Sequence, residues 1–86
     1  MSADSSLLTY PCELPIKVLG RNEPAFRATA IAIVRAHYGD EHRVAEQSSR
    51  GGAYLSLTIT VRAASREQVD AVYRALVAAP QILMVL

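Results

Sequence analysis

Ser48-Ser49-Arg50-Gly51-Gly52, then Ala53-Tyr54-Leu55-Ser56-Leu57-Thr58-Ile59-Thr60-Val61, then Ala64-Ser65-Arg66-Glu67-Gln68-Val69 is the stretch that decides the fold of this chain. The glycine pair reads as a hairpin turn, because glycine adopts positive φ without steric cost. The next nine residues alternate. Leu55, Leu57, Ile59 and Val61 make one apolar face, and Tyr54, Ser56, Thr58 and Thr60 the other, which is the period of a half-buried strand. Ser65 with Gln68 three residues on is a capping box that opens a helix. Val69, Val72, Tyr73, Leu76 and Val77 supply that helix with an apolar stripe, and Asp70 and Arg74 are spaced to pair on its outer side. Pro80 stops it, and Ile82 to Leu86 reads as a last, wholly apolar strand.

Working back toward the N-terminus, His42 to Ser48 is the hairpin's other strand, weakly patterned and therefore expected at a sheet edge. Leu14, Ile16 and Val18 alternate with Pro15, Lys17 and Leu19 as a first strand that Gly20 ends, with full pairing expected from Ile16 because Pro15 lacks a donor. Asn22 is placed to cap a first helix through Glu23 and Pro24. Phe26, Ala30, Ile33, Val34 and His37 form its buried face, Ala28, Ala32 and Arg35 its outer face, and Gly39 its stop. The order strand, helix, strand, strand, helix, strand predicts an α+β, ferredoxin-like βαββαβ sandwich. Its antiparallel sheet has order 4-1-3-2, with both helices on one face. Residues 1–9 read as a flexible tail and residues 10–86 as one domain.

Composition narrows the function classes. The chain has 86 residues, about half of them hydrophobic, and a net charge of only +1. A dedicated nucleic-acid binder usually carries a larger basic excess, so nucleic acid is not the expected partner. The N-terminus has no basic segment ahead of an apolar run, and no apolar stretch is long enough to span a bilayer. The one cysteine, Cys12, cannot close an internal disulfide and suits a reducing compartment. A cytoplasmic protein is expected.

Catalytic sets are hard to find. His37, His42 and Cys12 lack the spacing of metal ligands, and no Cys-His pair comes with an orienting group. Glu23, Glu41, Glu46 and Glu67 are scattered, so no carboxylate pair is placed for acid–base work. No enzyme, metal or cofactor is expected. Arg50-Gly51-Gly52 joins two strands and so reads as a hairpin, not a phosphate loop, which would open a helix. Gly20-Arg21-Asn22 does lie between a strand and a helix, and is the candidate anion or small-molecule site. The other candidate is the uncovered sheet face. Its expected partner-interface residues are Leu19, Tyr54, Ser56, Thr58 and Thr60, extended by Leu83 and Val85 because the last strand is apolar on both sides. Self-association into a homodimer through that face or edge is the expectation drawn from it. RNA-recognition domains share the topology but stack bases on aromatics of the central strands, where this chain has only Tyr54.

Ser49-x-Gly51-x-x-Tyr54-x-Ser56-Leu57-Thr58-Ile59, Ala64-x-x-x-Gln68-Val69-x-x-Val72-Tyr73-x-x-Leu76, the ending Met84-Val85-Leu86, and Tyr10-Pro11 with Pro15-Ile16-Lys17-Val18-Leu19-Gly20 together resemble the YbeD-like family of small bacterial proteins of unknown function. The resemblance implies a fold similar to ACT regulatory domains. Those modules often pair with one another and bind amino acids near the first strand–helix loop, which in this chain is Gly20-Arg21-Asn22. It also implies a regulatory link to lipoate metabolism. The resulting expectation is a non-catalytic regulatory or protein-interaction module. A sensor of amino acids or carboxylates is the first alternative and an RNA binder on the open sheet face the second.

Overall fold

The computed structural model describes residues 9–86, so the expected N-terminal tail, residues 1–9, lies outside the described residues except for Thr9. The elements are β1 (Cys12–Arg21), α1 (Pro24–Tyr38), β2 (His42–Ser48), β3 (Tyr54–Ala63), α2 (Arg66–Ala78) and β4 (Ile82–Val85). The four strands form one sheet in the order β2-β3-β1-β4, antiparallel at every junction. Read from the other edge, that is the expected 4-1-3-2 order.

The core lies between the sheet and the helices. Ile16 and Val18 of β1 face Ile59 and Leu57 of β3, and Leu55 and Val61 extend the same layer. Phe26, Ala30 and Val34 of α1 and Val72 and Leu76 of α2 close it from above. Each large apolar side chain buried this way contributes about 1.5–3 kcal/mol before chain entropy is counted. Val77 departs from its expected place. It is 69% exposed on the outer side of α2, because the stripe that reaches the core is narrowed to Val72 and Leu76 with Val69 and Tyr73 half-buried. Asp70 pairs backward with Arg66 at 3.9 Å, not forward with Arg74.

Three local readings are corrected by tertiary contacts. β1 does not stop at Gly20; it runs on through Arg21, opposite Tyr54. Pairing with β3 starts at Cys12, and Pro15 is accommodated in register with Thr60. Leu86 N–H donates to the Lys17 carbonyl at 2.8 Å, so the odd-numbered positions of β1 turn their backbone groups toward β4. Pro15 is the next such position past Lys17. Its missing donor therefore falls on an edge that β4 does not reach. Lastly, the N-cap of α1 is Glu23, not Asn22, and it makes no side-chain capping bond.

The α2 cap follows the capping-box pattern with one shift. Ser65 Oγ accepts from Gln68 N–H at 3.2 Å, while Gln68 Oε1 accepts from the N–H of Ala64, one residue before the cap, at 2.8 Å. The Gln68 amide also donates to the His37 carbonyl at 3.0 Å. One side chain thus satisfies backbone groups at the start of α2 and at the end of α1, where helices leave carbonyls unpaired.

Candidate functional site

Gly20, Arg21 and Asn22 do not converge. Gly20 faces the core, and its lack of a Cβ is used by the ring of Phe26, whose Cε1 and Cγ would lie 2.6 Å from a Cβ built there. Arg21 is the next strand residue and so points to the opposite, uncovered face. Asn22 is spent on the hairpin: its N–H donates to the Ala53 carbonyl and its side-chain amide to the Gly52 carbonyl, both at 3.0 Å. Gly51 and Gly52 hold φ of 87° and 78°, which allows the turn to present those carbonyls. The loop is a clasp between the start of α1 and the β2–β3 turn. Among the described residues the Arg21 side chain makes no ion pair, and it lies on the sheet face.

That face collects the rest of the candidate residues. Tyr54, Ser56, Thr58 and Thr60 of β3 lie opposite Arg21, Leu19, Lys17 and Pro15 of β1, all outward. On the far side of Leu19, Met84 takes the outward place, because β4 pairs Leu19 with Met84 and Val18 with Val85. Val85 therefore lies against the core and is not on the open face. The register shifts between Leu19 and Gly20, leaving Leu83 as the extra residue of a bulge, 54% exposed. Tyr54 and Met84 are 42% and 51% exposed. Ser56 Oγ donates to the Gln47 carbonyl and Ser49 Oγ accepts from Tyr54 N–H, which ties the hydroxyl row to the hairpin.

Two shallow depressions mark this face. One, about 370 Å³, is floored by Leu19 and Ser56 and bounded by Tyr54, Lys17 and Gln47; no acidic side chain lines it. The other, about 330 Å³, mixes Arg43 and Arg62 with Glu13, Asp40 and Glu41. Glu13 reaches over β3 to Arg43 at 3.2 Å. On the helix side, Glu46 accepts two bonds from Arg27, at 2.7 and 2.9 Å, which hold its carboxyl below the usual carboxylate range.

Both imidazoles bond to backbone carbonyls. His37 Nδ1 donates to the Ile33 carbonyl at 2.9 Å, and His42 Nδ1 to the Gly39 carbonyl at 3.1 Å. Cys12 is half-buried at the start of β1. Among the described residues no three His, Cys, Asp or Glu side chains gather where they could hold a metal ion. No described helix is long and apolar enough to cross a membrane.

Residues 5–86 match the model of a family described as "Protein of unknown function (DUF493)". The chain belongs to that family. It is 45% identical over 87 residues to a UPF0250 protein of Paraburkholderia phytofirmans, covering 99% of this chain and 98% of that one. It is 41% identical to UPF0250 protein NE1487 of Nitrosomonas europaea, covering 96% and 98%. Membership agrees with the YbeD-like resemblance read from the hairpin, capping-box and C-terminal motifs. The solution structure of protein HP0495 from H. pylori superposes with a TM-score of 0.80 over 100% of this chain and 94% of that chain; at 12% identity the likeness shows the ferredoxin-like fold alone. The DUF493 motifs in this chain are largely accounted for by architecture. Gly20 admits Phe26, Gly51 and Gly52 form the turn, and Gln68 joins the helices. Tyr54, Thr58 and Lys17 carry no such structural duty among the described contacts.

Proposed function

We propose that this DUF493 protein is a non-catalytic, cytoplasmic interaction module that docks another protein on its open sheet face. The observation that carries this reading is the outward surface of β1, β3 and β4. Leu19, Tyr54 and Met84 form an uncovered apolar patch beside the hydroxyls of Ser56 and Thr58. Apolar surface rimmed by polar groups is the usual composition of a docking patch. A regulatory role, and the link to lipoate metabolism that the family resemblance implies, fit a module whose activity resides in its partner.

The reading favours a different protein over a second copy. A symmetric face-to-face homodimer brings together two copies of a face that carries Lys17, Arg21, Arg43 and Arg62, and like charges across an interface are costly. The sensor reading has lost its convergent loop, since Gly20 and Asn22 are occupied by Phe26 and by the hairpin.

Site-specific photocrosslinking in the native cell tests the proposal. A photoreactive residue replacing Thr58 should form a discrete adduct with another protein, and one replacing Ala28 on the exposed side of α1 should not. Equal labelling from both positions, or none from either, rejects the open face as the docking surface.

A further inference from the structure

The overall charge of +1 is unevenly spread: cations outnumber carboxylates on the open sheet face, while the helix side is balanced. The strand registers place Lys17, Arg21, Arg43 and Arg62 on the open face, with Glu13 as its one acidic strand residue and Asp40 and Glu41 bordering its Arg62 end. The helix side carries both signs, with Glu23, Glu46, Glu67 and Asp70 balanced by Arg27, Arg35, Arg66 and Arg74. Among the described residues, Glu13 is engaged by Arg43, while Lys17, Arg21 and Arg62 make no ion pair. These cations run along the strands. From Arg21 to the Glu13–Arg62 pair is eight strand residues, a span of roughly 26 Å, with Lys17 midway.

Resting on the docking reading above, we infer that the partner presents an acidic, extended segment, which lies along β1 and β3 with an apolar side chain in the depression between Leu19 and Tyr54. The carboxylates of such a segment meet Arg21 and Lys17 at one end and Arg62 at the other. The hydroxyls of Thr58 and Thr60 between them donate to its polar groups. The depression itself contributes Lys17 and no acidic side chain, with Leu86 at its rim. A nucleic acid fits less well. The outward positions of the two central strands hold a single aromatic, Tyr54, and single-strand binders lay successive bases on several aromatic side chains. Leu19 and Met84, side by side, suit an aliphatic or aromatic side chain instead.

The test uses the full chain and three fluorescent probes: a peptide alternating Glu and Leu about a central Phe, its Gln-for-Glu counterpart, and a mixed-sequence single-stranded oligonucleotide. The Glu peptide should bind, with affinity that falls as salt is added. The Gln peptide should bind at least several-fold more weakly. Lys17→Glu with Arg21→Glu should weaken the Glu peptide roughly tenfold, the effect expected from losing two exposed ion pairs. Amide shifts in the wild type should cluster at Lys17, Leu19, Tyr54 and Ser56 and spare α2. Equal affinity for the two peptides, indifference to the charge reversals, or shifts centred on α2 overturns the inference. Binding of the oligonucleotide in preference to the Glu peptide overturns it too, and assigns the face to a nucleic acid. If the Thr58 crosslink forms in cells and survives both charge reversals, the face docks a protein but not through acidic groups. In that case this inference fails while the docking reading stands.

Discussion

Phe26 occupies the space that any side chain at Gly20 would need: a Cβ there would come within 2.6 Å of the ring's Cε1 and Cγ. Both residues are fully buried, so neither can withdraw into solvent. Gly20→Ala should therefore lower stability by about 1–3 kcal/mol, the usual cost of overpacking. Urea unfolding measures it. Pairing it with Phe26→Leu should recover part of the loss, and simple additivity of the two changes would contradict this account.

Val85 and Met84 are adjacent, yet they should respond oppositely to a charge. Val85 packs on the core opposite Val18, so Val85→Asp should cost upwards of about 2 kcal/mol as a carboxylate is driven against apolar surface. Met84 points outward, and Met84→Asp should stay within about 0.5 kcal/mol of wild type. Thermal melts of the two variants decide the matter.

Gln68 joins Ala64 to His37 through one amide. Gln68→Glu keeps the acceptor for Ala64 but replaces the donor to His37 with a carboxylate facing the negative end of α1. The carboxyl's folded pKa is then raised, since the protonated form alone can donate. The variant should be closest to wild type below the ordinary carboxylate range and lose stability as pH rises through it. A penalty that is flat with pH would remove the His37 contact from the explanation.

Glu46 shows the reverse sign. Hydrogen bonds from Arg27 hold its carboxyl down, so the pair's contribution is present above the ordinary carboxylate range and fades as pH falls through the lowered value. Wild type should exceed Glu46→Gln in stability at neutral pH, and the gap should close in acid. A carboxyl titration followed by NMR should place the Glu46 midpoint below that of an unpaired glutamate.

The Tyr38 hydroxyl is buried, with no hydrogen-bond partner among the described residues. Burial pushes its phenol pKa up, as it does that of Tyr73. Removing an unsatisfied hydroxyl is nearly free, so Tyr38→Phe should be neutral or stabilising by up to about 1 kcal/mol. Stability should fall as pH rises past the ordinary phenol range, and more shallowly in Tyr38→Phe. A clear loss of stability at neutral pH would show that the hydroxyl has a partner.

Where the pattern was periodic, the sequence was legible. The alternation from Tyr54 to Val61 assigned both faces of β3 correctly, and Ser65 with Gln68 announced α2. Misreadings came where local logic competes with a distant contact. Asn22 has the chemistry of a cap, but the hairpin 30 residues away takes its amide. Gly20 looks like punctuation, and is instead a strand residue thinned to admit Phe26. In Ile82-Leu83-Met84-Val85 every side chain is apolar, so nothing in the pattern shows which residue faces inward, and the bulge at Leu83 then reverses the expected alternation. The cations of the open face were also hidden, because net charge is a sum over the chain while the strand register gathers Lys17, Arg21, Arg43 and Arg62 on one face.

Pro15 stands on the side of β1 that β4 leaves bare, directly after the last hydrogen bond at Lys17. A strand arriving from another molecule to lengthen β4's row would find no N–H at Pro15. Pro15 thus blunts the stretch of β1 that β4 leaves unpaired, a point where another strand would otherwise find a free ladder.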